Sequence, residues 1–228
     1  MKRLTLDSMP SLQLTNQKFI LGIIGQRIVL LCVALFTVCV AQSAHNLQGQ
    51  FAIILIGCVL SLTIRHLYQR SVVRYTLTDS HFQQHTAKGG WVIQWHNVAQ
   101  IGICQSHTPT ERNDLPWIGV RLKDPVPFVK SVCPRLISQL LLEQRALLYL
   151  GAMETGDESS FQEQVLDSRS ILSKDNQLFT GLQAGMLRRM QYQRAYWGYD
   201  IFIASADLER DAEEFVGLLR QYWANSYR

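Results

Sequence analysis

The chain has 228 residues, with 22 Lys or Arg against 18 Asp or Glu and a formal net charge of +4. Its length leaves room for one ordinary domain plus a membrane anchor, or for two small domains. The basic excess is small and forms no stripe, which excludes nucleic acid as the expected partner.

Residues 1–18 read as a short N-terminal segment carrying Lys2, Arg3 and Lys18. From Phe19 to Ile64 the one charged residue is Arg27, and the stretch divides into apolar blocks at 19–41 and 51–64. A membrane span needs about 20 apolar residues at about 1.5 Å rise each. The second block reaches that length with Leu47 and Gly49 before it and Leu67 and Tyr68 after it. Residues 19–67 therefore read as a transmembrane helical hairpin. A pair of buried core helices is the competing reading, but neither block has a polar stripe, and apolarity all round the helix favours lipid. Arg27 either sits at the interface, with the span starting near Ile28, or lies several residues deep. The interface is the better place, because a central arginine costs about 2.5–3.5 kcal/mol on insertion.

The loop 42–50 has no Lys or Arg, whereas Arg65, Arg70 and Arg74 follow the second block. The positive-inside rule then puts both termini in the cytoplasm and the loop outside. Ala41-Gln42-Ser43 loosely resembles a signal-peptide cleavage site, but the leader is long for one. The second span returns the chain to the cytoplasm in either case. Of five cysteines, Cys32, Cys39 and Cys58 fall in the apolar blocks, and no C-x-x-C pair occurs, so a reducing compartment fits.

After Arg74 the hydrophobic pattern alternates. Strands are expected at 73–77, 81–85, 91–95, 98–104 and 117–122, with Lys88-Gly89-Gly90 as a hairpin turn. Short strands joined this closely argue for an antiparallel sheet or small barrel. A helical insertion of about 125–197 follows: a Leu/Ile-striped helix over 133–150, a loop over 151–157, a weaker helix over 160–172, a turn over 173–176 and a helix over 179–197. A strand is expected at 200–204 and a last helix from Asp211 to about Trp223, with Glu214 completing a carboxylate capping box. The fold class expected is α+β, with domain boundaries of 1–18, 19–67 and 73–228.

The run Tyr75-Thr-Leu-Thr-Asp79, the turn Gly89-Gly90, and Trp95-His-Asn-Val-Ala-Gln-Ile101 resemble the opening hairpins of bacterial pleckstrin-homology-like (PH-like) domains. Tyr199-Asp-Ile-Phe-Ile203 and the segment 207–216 resemble the last strand and C-terminal helix of such domains. The insertion departs from the minimal pattern. The whole chain looks like an uncharacterised bacterial inner-membrane family of this build. The resemblance implies a PH-like fold and a binding role, and supplies no catalytic residues.

The helix over 179–197 carries Arg188, Arg189 and Arg194 with no acidic residue, and has Leu182, Met186, Met190 and Trp197 at helical spacing. Beside a membrane, such a helix can lie in the interface or bind anionic headgroups, which makes Arg188, Arg189, Arg194 and Trp197 the candidate lipid- or partner-binding residues. The bland reading packs the Met/Leu face on the sheet and pairs or solvates the arginines. His81 and His85 are about 13 Å apart on a strand, too far to share a metal ion, and His96 and His107 add no spacing motif. Cys104 and His107 lack an orienting third group. The acidic run Asp207, Glu209, Asp211, Glu213 and Glu214 complements a helix start. No phosphate loop, nucleophile elbow or zinc motif is present. The expectation is a membrane-anchored binding or scaffolding module in the bacterial inner membrane, multi-pass and non-catalytic, with a protein or peptide partner, possible anionic lipid contact, and no cofactor or metal. The alternative is an enzyme with its site between the sheet and the insertion. A pore is disfavoured by the few polar residues in the spans.

Overall fold

The computed structural model describes residues 10–16, 19–43, 46–70, 72–106, 113–156 and 158–226. The first element is a strand that the sequence pattern does not announce, β1 (Leu12–Thr15). Two helices follow, α1 (Phe19–Gln42) and α2 (Leu47–Arg70). They pack side by side, and Gly57 of α2 lies so close to Thr37 of α1 that a Cβ there would overlap its side chain. By length and composition α2 is apolar enough to cross a membrane, while the described apolar part of α1, Arg27–Gln42, is shorter. The described side chains of both helices are largely exposed within the chain, with Phe36, Phe51 and Leu55 among them.

Immediately after α2 comes β2 (Arg74–Leu77), which pairs antiparallel with β1 from Thr15↔Arg74 to Leu12↔Leu77. Asn16 closes this pairing. Its N–H donates to the Val73 carbonyl at 3.1 Å, and its Oδ1 accepts from the Val73 N–H at 3.2 Å. The two helices are thus an excursion between neighbouring strands. Residues 12–15, expected in the N-terminal segment 1–18, pair with β2 beyond both helices.

β3 (His81–Thr86) and β4 (Gly89–Gln94) complete a four-stranded antiparallel sheet in the order β1-β2-β3-β4. Alternation puts Phe82 and Gln84 inward on β3 and Trp91 and Ile93 inward on β4. The turn falls at Ala87-Lys88 rather than at Lys88-Gly89-Gly90, and Gly89, the first paired residue after it, has φ +142°, a conformation that L side chains rarely adopt. A short 3-10 turn (Trp95–Asn97) carries the chain to a second sheet, and the Trp95 indole N–H anchors it on the Thr78 carbonyl at 2.7 Å. That sheet has the order β5-β6-β9, from β5 (Val98–Gln105), β6 (Asp114–Leu122) and β9 (Ile201–Ala204). All pairs are antiparallel. The five strands expected from 73 to 122 and the strand at 200–204 are present. They form two sheets rather than one.

Between the sheets lies the core of Tyr75, Phe82, Trp91, Trp95, Ile101, Ile118 and Val120, all nearly inaccessible. The C-terminal helix, placed last in the chain as α8 (Ala212–Asn225), closes it: Phe215 stands edge-on to Tyr75 at 5.4 Å. No capping box closes at its start, since Asp211 makes no side-chain cap and Glu214 pairs with Arg210 at 2.9 Å instead.

The insertion between β6 and β9 contains α3 (Val126–Ser131), α4 (Pro134–Glu143), α5 (Arg145–Glu154), α6 (Phe161–Leu166), a small hairpin of β7 (Ile171–Leu172) and β8 (Leu178–Phe179), and α7 (Gly181–Trp197). The helix expected over 133–150 is broken at Gln144, and its second half continues through 151–154, where a loop was expected. The helix expected over 160–172 stops at Leu166, and residues 171–172 are strand. Pairing with Leu178–Phe179 overrides the weak helical pattern there.

Candidate functional site

α7 carries the four residues singled out from the sequence. Its inner face buries Ala184, Met186, Leu187 and Met190, so the two methionines of the predicted stripe pack inward while Leu182 stays exposed. Arg189 is also inside, 2% exposed, and Nη1 donates to the Leu141 carbonyl at 3.2 Å. Burial, with Arg145 nearby, pulls its guanidinium down to about 10. Trp197 is buried, and its indole N–H donates to the Leu147 carbonyl at 3.2 Å.

Arg194 is bound to Asp200. Nε donates to Oδ1 at 2.7 Å and Nη2 to Oδ2, while Nη2 also reaches the Leu122 carbonyl at 3.0 Å. The Leu122 N–H in turn donates to Asp200 Oδ2 at 2.7 Å. The local sequence explains this clamp. Gly198, in the left-handed conformation at φ +78°, ends α7 and turns the chain back, so Asp200 meets an arginine one turn earlier in the helix. Arg188 is partly exposed, with its Nε 4.0 Å from Asp167 and Nη2 3.4 Å from the Ser170 carbonyl. The α7 arginines are therefore spread between the interior and two ion pairs and do not form one exposed basic face.

Asp167 is the centre of the second pair. Arg169 bonds both carboxylate oxygens at 2.8 Å and Tyr192 donates to Oδ2 at 2.7 Å. These bonds, Arg169 first, hold Asp167 well below the usual carboxylate range. A third polar group lies where α4, α5 and α7 meet. Gln144 and Gln193 are almost fully buried, and among the described residues neither side-chain amide has a hydrogen-bond partner.

A cleft of about 210 Å³ opens between the β6–α3 turn, the β7–β8 hairpin and α7. Its apolar wall includes Ile171, Leu187 and Met190, and its charged rim includes Lys123, Asp124 and Lys174. On this rim Lys123 Nζ donates to the His96 carbonyl at 2.8 Å, and Asp124 Oδ1 accepts from the Val126 N–H at 3.0 Å. These bonds brace backbone and bring no nucleophile beside a base.

Cys104 is fully buried, and burial alone pushes its thiol up to about 12, so it stays protonated. His107 lies outside the described residues. His81 is held locally by Thr78 and Ser80 at 3.0 and 2.9 Å, while His85 and His96 are exposed. Among the described residues no group of three His, Cys, Asp or Glu side chains comes together to hold a metal.

The feature sequence reasoning missed is on the outer side of the insertion. Leu142, Tyr149 and Met153 are 71%, 42% and 45% exposed, and Leu166 is 79% exposed. In sequence they are continuous with the buried stripe of Leu136, Ile137, Leu140, Leu147 and Leu148, and only the break at Gln144 separates inward from outward positions.

Residues 75–225 match the model of a family described as "Protein of unknown function (DUF2982)". The chain belongs to the DUF2982 family. The match runs from β2 through α8, so it contains both sheets and the insertion, and leaves β1, α1 and α2 outside. No curated protein and no solved structure matches the chain. DUF2982 membership thus adds no activity to what the geometry provides.

Proposed function

We propose that this chain is a membrane-anchored, non-catalytic binding or scaffolding module, in which α1 and α2 both cross the bacterial inner membrane and a PH-like domain on the cytoplasmic side recognises a protein or peptide. The observation that carries the binding role is the exposure of large apolar side chains on three successive helices of the insertion: Leu142 on α4, Tyr149 and Met153 one turn apart on α5, and Leu166 on α6. Exposed apolar side chains in this number on packed neighbouring helices support an interaction surface. The PH-like reading is supported by a four-stranded and a three-stranded antiparallel sheet followed by a closing helix. The two-span reading is supported by the β1–β2 pairing, which returns both ends of the helical pair to one place, as the positive-inside rule requires.

The enzyme alternative draws on the cleft between the β6–α3 turn and α7, where Lys123 and Asp124 are engaged in bracing backbone. The test is affinity capture of the full chain from its native membrane in mild detergent, beside a Leu142→Ser, Tyr149→Ser, Met153→Ser variant. A partner lost only in the variant supports recognition through these side chains. A partner set unchanged by the substitutions sinks it, and capture of none returns attention to the cleft.

A further inference from the structure

We infer that Arg74, Lys88, Lys130 and Arg135 form a basic collar that rests on the anionic headgroups of the bilayer holding α1 and α2; this inference depends on the membrane-spanning reading. The strand register brings these residues together. Thr15↔Arg74 is the last pair of β1 and β2 before the chain leaves for the helices, so Arg74 marks the end of the domain from which α1 and α2 depart. Arg74 pairs with His85, and the next residues of β3 and β4, Thr86↔Gly89, close the turn that carries Lys88. That turn touches the start of α4: a Cβ on Gly89 would stand 3.1 Å from Cys133 Sγ, and Cys133 Sγ is 3.9 Å from the Lys88 carbonyl. Arg135 follows Cys133 in the first turn of α4, and Lys130 precedes it at the end of α3.

Three features fit this end to a lipid surface. All four side chains are exposed, and among the described residues none joins an ion pair, in contrast to Arg188 and Arg194 of α7. The segments that supply them, 65–78, 81–98 and 125–142, contain no Asp or Glu. Lys130 Nζ also lies 5.9 Å over the Phe179 ring, whose neighbours Leu178 and Leu182 are 61% and 45% exposed, so apolar groups able to enter a headgroup layer flank the charges. Basic side chains within a Debye length of an anionic leaflet are attracted to it, and salt weakens the attraction.

Cys133 is a built-in reporter. It is exposed beside Lys88, while Cys104 is buried and Cys32, Cys39 and Cys58 lie in α1 and α2. The full chain is placed in nanodiscs of phosphatidylcholine alone or with added phosphatidylglycerol. The rate of Cys133 modification by an uncharged, water-soluble maleimide is then followed by peptide mass. The expected result is labelling about tenfold slower with phosphatidylglycerol at low ionic strength, recovering in high salt and in both K88E/R135E and K88Q/R135Q. Equal rates in the two lipids, or slowing that persists in both variants, overturn the collar. Release of the chain from its native membrane by alkaline carbonate overturns the spanning reading and the collar with it, whereas retention with equal rates overturns the collar alone.

Discussion

Replacing Asp200 with Ala removes the acceptor that joins three elements: the end of α7, the end of β6 and the start of β9. Asp200 is 1% exposed, and its loss strips Arg194 of two hydrogen bonds and the Leu122 N–H of its acceptor at 2.7 Å. Breaking a buried pair by deleting one partner costs about 3–5 kcal/mol. Arg194 is 33% exposed and regains some hydration, which sets the expectation at the lower end, about 3 kcal/mol. For a chain of this size each kcal/mol moves Tm by about 2–4 °C, so Asp200→Ala should lower it by about 6–12 °C. Thermal unfolding of the full chain in mild detergent, followed by tryptophan fluorescence, reads this directly. An Arg194→Met, Asp200→Leu double variant should lose less than Asp200→Ala alone, because no unpaired charge is left behind. A Tm for Asp200→Ala within about 2 °C of the parent, or a double variant as unstable as the two singles summed, would refute the clamp.

Arg189 has the opposite expectation. Among the described residues it has no carboxylate partner, so Arg189→Met should leave Tm unchanged or raise it, and a fall of several degrees would show that its bond to Leu141 dominates. Gly119 packs face to face with the Tyr199 ring, where a Cβ would overlap it; Gly119→Ala should cost about 1–3 kcal/mol, relieved by adding Tyr199→Leu, as urea unfolding would report. The carboxyl of Asp167 is depressed in the folded chain, so its stabilising contribution is present above its unfolded pKa of about 3.9 and is lost as pH falls through the folded value. The stability gap between the parent and Asp167→Asn should therefore shrink on acidification below about pH 4, and a gap constant with pH would contradict the Arg169 pairing.

The strands were legible where alternation was clean. Phe82 and Gln84 face in, His81 and Gln83 face out, and the Ala87-Lys88 turn, followed by Gly89 at positive φ, punctuates the pair. The insertion was legible as helical but not in its breaks, because the fully buried Gln144 marks the kink between α4 and α5 and carries no turn chemistry of its own. The basic helix was visible in sequence, but its surroundings were not. Whether Arg189 and Arg194 meet solvent depends on Leu141, Leu122 and Asp200, none of which is spaced so as to announce the contact. The collar behaves the same way: Arg74, Lys88 and Arg135 are scattered in sequence, and only strand register and the Cys133 contact gather them.

β1 shows why local pattern fell short and offers the sharpest check on the architecture. Four residues, LQLT, carry too little periodicity to stand out, and their partner strand lies beyond both helices. Yet Leu14 is 5% exposed, Leu12 packs on the core, and the Tyr222 hydroxyl donates to the Pro10 carbonyl at 2.8 Å. Burying one leucine is worth about 1.5–3 kcal/mol and each net backbone hydrogen bond about 0.5–1.5, so a chain begun at residue 73 should lose about 3–6 kcal/mol. It should also expose the edge of β2 and tend to associate. Because Asn16 and Val73 are hydrogen-bonded neighbours, residues 10–16 joined to residue 72 by a short Gly/Ser linker, with both helices deleted, should restore the loss. If the truncated chain is as stable as the full one, β1 is ornamental. If the linked chain fails to recover while the full chain is stable, the helical pair supports the domain by more than connecting two adjacent strands.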